Sequence, residues 1–119
     1  MVELKTELNP FRIVLGHTKN IELMVQIKND SDKERTISCD IILGNNLGFE
    51  KNCLSNTRTL RLGKLKPNEK KINYFKIFPK ATINRRTEQP IFISVMEHFE
   101  EKYDYILSKK SKQLFLRIE

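Results

Sequence analysis

The chain has 119 residues, of which 39% are apolar and 31% charged, with a net charge of +7. That length suits one domain with one core, and the β-branched and aromatic content is too high for a disordered chain. No stretch approaches the ~20 apolar residues of a membrane span, and the opening MVELKTEL lacks the apolar run of a secretory signal, so a cytoplasmic location is expected, or an extracellular one if the start has been trimmed.

In chain order, Val2, Leu4, Thr6 and Leu8 alternate with polar neighbours, the period of two of a half-buried strand, until Asn9-Pro10 interrupts it. Phe11 to Leu15 resumes as a short second piece, and Gly16-His17 turns the chain. Asn20 to Lys28 gives the clearest strand, with Ile21, Leu23, Val25 and Ile27 on one face. After a polar turn, Arg35 to Leu43 places Ile37, Cys39, Ile41 and Leu43 on one side, and the two strands read as an antiparallel pair. Gly44 to Asn56 reads as a crossing loop with room for one short edge strand, anchored by Leu47, Phe49 and Leu54.

Leu60 to Pro79 carries the plainest hairpin signal. Two apolar and basic runs flank Pro67-Asn68, where proline sets the first turn corner and asparagine tolerates the second. Gly63 allows a bulge before Leu65. In the second limb Ile72, Tyr74 and Phe78 share one parity while Phe75 and Ile77 share the other, which predicts either a bulge near Asn73 or burial on both faces. Pro90 begins a further strand through Ile91, Ile93 and Val95, followed by a charged tip from Glu97 to Lys102. Tyr103, Tyr105 and Leu107 alternate as a strand, although residues 99 to 110 also fit a helix. Lys109 to Lys112 reads as a turn before a last strand through Leu114, Leu116 and Ile118. Seven to nine short strands with regularly spaced turns predict an all-β fold, an antiparallel two-sheet immunoglobulin-like sandwich in one domain, with a closed barrel as the alternative.

The succession NPFRIVLGHTKNIELMVQIKNDSDKERTISCDIIL, LGKLKPNEKKINYFKIFP, PIFISVMEHF and LFLRI resembles the immunoglobulin-like modules of the CARDB type found in archaeal and bacterial proteins. The resemblance rests on Asn9-Pro10, Gly16, Asn29 and the Leu65 to Glu69 turn. It implies a sandwich acting as a spacer, adhesion or binding unit, with no shared catalytic residues. Such modules usually occur in tandem in extracellular proteins, and this sequence is a single module.

Chemistry is sparse. His17 and His98 are the only histidines and read as surface residues; Cys39 and Cys53 are the only thiols and read as free and structural. They form no close-spaced ligand set, so neither a metal nor a cofactor is implied. Asn29-Asp30-Ser31 matches the glycosylation pattern, which has meaning only for a secreted protein. No Ser or Cys stands in a nucleophile motif, and Gly44 to Gly48 lacks the lysine of a phosphate loop. The chain is therefore expected not to be an enzyme.

Charge is the one directional signal. Residues 61 to 90 hold nine cations against two carboxylates, and residues 1 to 30, 31 to 60 and 91 to 119 each balance. Arg61, Lys64, Lys66, Lys70, Lys71 and Lys76 on the hairpin, with Arg85 and Arg86 in the loop beyond, form the candidate binding patch. They suit an acidic protein surface. Single-stranded nucleic acid is the alternative, with Tyr74, Phe75 and Phe78 as stacking surfaces, and a membrane surface is a further one. An exposed edge strand offers another way to hold a protein partner.

Overall fold

A computed structural model describes every residue except Met1, His17, Ala81, Thr82, Asn84, Arg85 and Glu101. Nine strands follow in order: β1 (Val2–Asn9), β2 (Arg12–Ile13), β3 (Ile21–Asn29), β4 (Arg35–Leu43), β5 (Leu47–Gly48), β6 (Thr57–Leu65), β7 (Lys70–Pro79), β8 (Thr87–Phe99) and β9 (Lys102–Ile118). They form two sheets, one ordered β1-β3-β7-β5 and the other β2-β9-β8-β4-β6. The expected all-β class holds, with two separate sheets in place of a closed barrel.

The period-two faces read in Ile21 to Ile27, Ile37 to Leu43 and Ile91 to Val95 are core faces, whereas Tyr105 and Leu107, read as one face of a later strand, are exposed. Ile21, Leu23, Val25 and Ile27 of β3 lie fully buried against Ile37, Cys39 and Ile41 of β4, and Ile91, Ile93 and Val95 of β8 join the same cluster. Each such side chain contributes about 1.5–3 kcal/mol by leaving water. The core therefore fixes which parity of each strand points inward.

It does not fix which strands pair, and here two expectations are corrected. β3 and β4 are not an antiparallel pair: β3 bonds to β1 and β7, while β4 bonds to β6 and β8. Nor is Leu60 to Pro79 a hairpin, because β6 lies in the five-stranded sheet and β7 in the four-stranded one. Both polar loops are arches that carry the chain across the core.

Asn29 explains why. Its side chain is completely buried where the two arches meet, and its amide donates to the carbonyls of Lys33 and Leu65, both at 2.8 Å. Its Oδ1 accepts from the N–H and the hydroxyl of Ser31. Its backbone N–H donates to Glu69 O and its carbonyl accepts from Asn68 N–H. One asparagine thus satisfies the polar groups that a sheet ladder would otherwise pair. The side chain has no freedom to act as a glycan acceptor in this fold.

Local turn chemistry was nevertheless legible. The Lys66 to Glu69 turn closes with Glu69 N–H on Lys66 O at 3.0 Å, and Asn68 takes the positive φ of 65° at its second corner. Gly63, at φ 74°, sits at a bulge where Ile37 faces Gly63 and Ser38 faces Arg61, leaving Leu62 as the extra residue. No bulge occurs near Asn73, since β3 and β7 keep one register from Lys28–Lys70 to Ile21–Ile77. Phe75 and Ile77 face the core, and Ile72 and Tyr74 stand exposed on the outer face. Of the loop anchors, Leu47 and Phe49 are buried but Leu54 is exposed.

The largest correction concerns the C-terminus. Lys109 to Lys112 is no turn: β9 runs unbroken for 17 residues, and residues 102 to 110 are strand, not helix. β8 is correspondingly long, and the two form a hairpin whose register shifts near Glu97 and His98. Among the described residues no helix is long and apolar enough to cross a membrane.

Candidate binding surfaces

The candidate basic residues are divided by the arch. Arg61 and Lys64 lie on β6, an edge of the five-stranded sheet, while Lys70, Lys71 and Lys76 lie on β7 inside the other sheet. Lys66 sits in the arch between them. Lys64, Lys66, Lys70 and Lys71 gather at this end, joined by Lys28, the register partner of Lys70. Part of their charge is answered locally: Lys71 lies 3.8 Å from Glu69, which also accepts the Lys66 N–H. Lys76 projects from the outer face opposite Glu22. Arg86 stands at the other end, where its N–H donates to Ile118 O. Arg85 lies outside the described residues.

Arg61 belongs to a different cluster. Its guanidinium stands 4.8 Å from the Tyr103 ring centroid, and that ring lies 5.0 Å from the imidazole of His98. Tyr103 Oη accepts the N–H of Gly63 at 3.2 Å, so a residue of β9 reaches over β8 and β4 to the β6 bulge. Beneath it Thr36, Ser38 and Met96 are buried although their parity faces away from the core. The tip of the β8–β9 hairpin therefore curls onto its own sheet.

His98 is accordingly buried, at 2% exposure, where the sequence suggested a surface residue. Its Nε2 is 2.6 Å from Ser38 Oγ. A serine bonded to an imidazole is the first part of a nucleophilic site, but catalysis needs an oriented base and access to the hydroxyl. Among the described residues the imidazole's Nδ1 has no hydrogen-bond partner, and Ser38 is only 4% exposed. The pair joins β4 to β8 in the manner of a buried polar contact. Burial pushes the Cys39 thiol up to about 12, with the Asp40 charge adding to it, and burial also raises Cys53. Both are free thiols held in the unreactive protonated form. Among the described residues no three His, Cys, Asp or Glu converge as a metal ion would require.

The surface the sequence concealed is the free edge of β9. Among the described residues its only neighbour beyond β8 is β2, which pairs in parallel at Arg117 and Ile118. Glu119 N–H donates to Ile13 O at 2.7 Å, and Glu119 O accepts from Leu15 N–H at 2.9 Å, so the backbone of Glu119 points toward β2. Alternate residues of a strand direct both backbone groups to the same side. Phe115, Gln113, Ser111 and Lys109 therefore offer N–H and C=O to the edge that β2 leaves open, a length of about 20 Å. The Ile118 carbonyl, one residue out of phase, turns the other way to Arg86.

The side chains on either side of this edge differ. On the outer face, Ile42 and Phe92 are register partners and Phe115 lies diagonally beyond Phe92. This row crosses three strands with exposures of 46%, 42% and 56%. On the inward parity, Lys110 and Lys112 stand opposite buried Val95 and Ile93 yet are exposed themselves. Counting charge segment by segment hid them, because the carboxylates of residues 91 to 119 equal their cations in number.

No family model matches the sequence, and none of the curated proteins matches it. Among solved structures, the chain is similar to the E. coli chaperone DraB, with a TM-score of 0.43 and 14% identity. That likeness covers 97% of this chain and spans 55% of the chaperone chain, about half its length.

Proposed function

We propose that this chain is a non-enzymatic protein-binding module on an immunoglobulin-like sandwich of the CARDB type, and that it docks by adding a partner's extended segment to the edge of β9. The observation behind this reading is the row of backbone groups from Lys109 to Phe115 that, among the described residues, no strand pairs with. Main-chain hydrogen bonds supply affinity in such a mode, and the flanking side chains supply selection. The basic arch around Lys64, Lys66, Lys70 and Lys71 is a weaker docking candidate, for a protein or for single-stranded nucleic acid. Its cations are divided between two sheets, and Lys71 is partly answered by Glu69.

Capture from a native extract of the source cells tests the reading with three versions of the protein. Gln113→Pro removes one edge N–H without touching the β8–β9 ladder, since that N–H points away from β8. A second version changes Lys64, Lys66, Lys70 and Lys71 to Glu. The recovered partners are expected to be lost with Gln113→Pro and kept with the charge-reversed arch. Retention by Gln113→Pro removes the edge from the account; loss only with the reversed arch moves the function there.

A further inference from the structure

Resting on that reading, we infer that the segment accepted by β9 alternates acidic and apolar residues, its carboxylates on the side of Lys110 and Lys112 and its apolar groups on the side of Phe115 and Phe92. The inference comes from how the two faces of the edge differ.

A strand added beside β9 takes up the pleat of its neighbour, so its successive side chains fall alternately on the two faces. On the inward face its neighbours are Lys110 and Lys112. Both are exposed, although their register partners Val95 and Ile93 are fully buried. An incoming carboxylate there meets two ammonium groups, and an incoming lysine meets repulsion. On the outer face the neighbours include Phe115, with Phe92 and Ile42 continuing the apolar row onto β8 and β4. An apolar side chain laid beside Phe115 extends that row and removes further area from water, at about 25 cal/mol per Å².

Charge also argues against a second copy of this chain as the occupant. From Lys102 to Leu116 the edge carries four lysines against Asp104 alone, a net +3. Pairing β9 with itself sets that excess against its equal, whereas an acidic strand neutralises it. The same lysines blunt the edge against self-association, a common device of exposed strands. One set of residues thus excludes the wrong partner and selects the right one.

The test uses capped synthetic peptides of about nine residues, one alternating Val with Glu and one alternating Val with Lys, the length matching the open edge. Binding to the full chain is read by fluorescence anisotropy, and the site by backbone amide chemical shifts of β9. The Val/Glu peptide is expected to bind about tenfold or more tightly than the Val/Lys peptide, with affinity falling as salt rises. The double variant Lys110→Glu with Lys112→Glu should invert the preference, Phe115→Ser should weaken both peptides, and Gln113→Pro should abolish binding. Equal affinity for the two peptides, or a preference that the double variant leaves unchanged, overturns the inference. Where Gln113→Pro still abolishes both equally bound peptides, edge docking survives and only the charge selection falls. Binding that Gln113→Pro leaves intact sinks edge docking and the inference together, and absence of binding by either peptide overturns the inference while the capture experiment still decides the edge.

Discussion

The Asn29 side-chain amide donates to the Leu65 carbonyl at 2.8 Å, joining the end of one β-strand to the end of another 36 residues away in the opposite sheet. Leu65 closes β6 just before the arch to β7, and Asn29 closes β3 just before the arch to β4. The bond therefore ties the two crossings together at one end of the core. Replacing Asn29 by Ala leaves the Leu65 carbonyl buried without its donor. An unsatisfied buried group costs about 1–3 kcal/mol, and Asn29 serves several. The expected loss is about 3 kcal/mol or more, read as a fall in thermal midpoint of roughly 10 °C. Asn29→Asp keeps the Ser31 contacts but cannot donate, so it should behave nearly as badly; a midpoint near that of the unaltered protein would show that the arches hold without this bond.

Two residues before Leu65 on β6, Tyr103→Phe removes the acceptor of the Gly63 N–H while keeping the ring over His98 and Arg61. A loss of about 1 kcal/mol is expected from denaturant unfolding. Gly63→Ala should cost about the same for another reason: nothing lies within 4 Å of a Cβ there, but φ is +74°. If Gly63→Ala is neutral, the bulge adjusts to a conformation alanine accepts.

Gly48 presents the opposite case. A Cβ at this buried residue of β5 would lie 2.4 Å from the Cα of Cys53. That neighbour is backbone and cannot rotate away, so Gly48→Ala should cost about 1–3 kcal/mol or displace the loop. Trimming Cys53 to Gly should not rescue it, because the clashing Cα remains. Rescue by that second change would instead assign the conflict to the thiol side chain.

Cys39 supplies a pH prediction. Its folded-state pKa is raised from 9.0 to about 12, chiefly by burial, so the folded protein holds this proton more tightly than the unfolded chain does. The associated stability is fully present below about pH 9 and is lost as pH rises from there toward 12. Stability measured against alkaline pH should fall more steeply in the unaltered protein than in Cys39→Ala. Parallel slopes would rule out the buried thiol as a contributor. At neutral pH, Cys39 should resist thiol reagents until the protein unfolds.

By itself the sequence determined the class and the inward faces. Alternation in Ile21 to Ile27, Ile37 to Leu43 and Ile91 to Val95 can be buried only by strands. Turn chemistry at Gly63 and Asn68 was equally local, because a positive φ has few tenants. Pairing was another matter. A polar loop between two amphipathic strands is compatible with a hairpin or with an arch, since both bury the same faces. What selects the arch is the buried Asn29, whose bonds to Leu65 and Glu69 join positions far apart in sequence.

The candidate site followed the same division. A count along the chain found the cations of residues 61 to 90, yet the tertiary structure decided which share a surface, and it split them between two sheets. Lys109, Lys110 and Lys112 looked like a turn because lysine and serine on both parities hide a strand that is exposed on both sides. A strand edge has no signature in its own residues: openness depends on whether another strand arrives beside it, and β2 stops two residues into doing so. The sequence supplied the lysines and phenylalanines of that edge, and only the path of the other strands left it open.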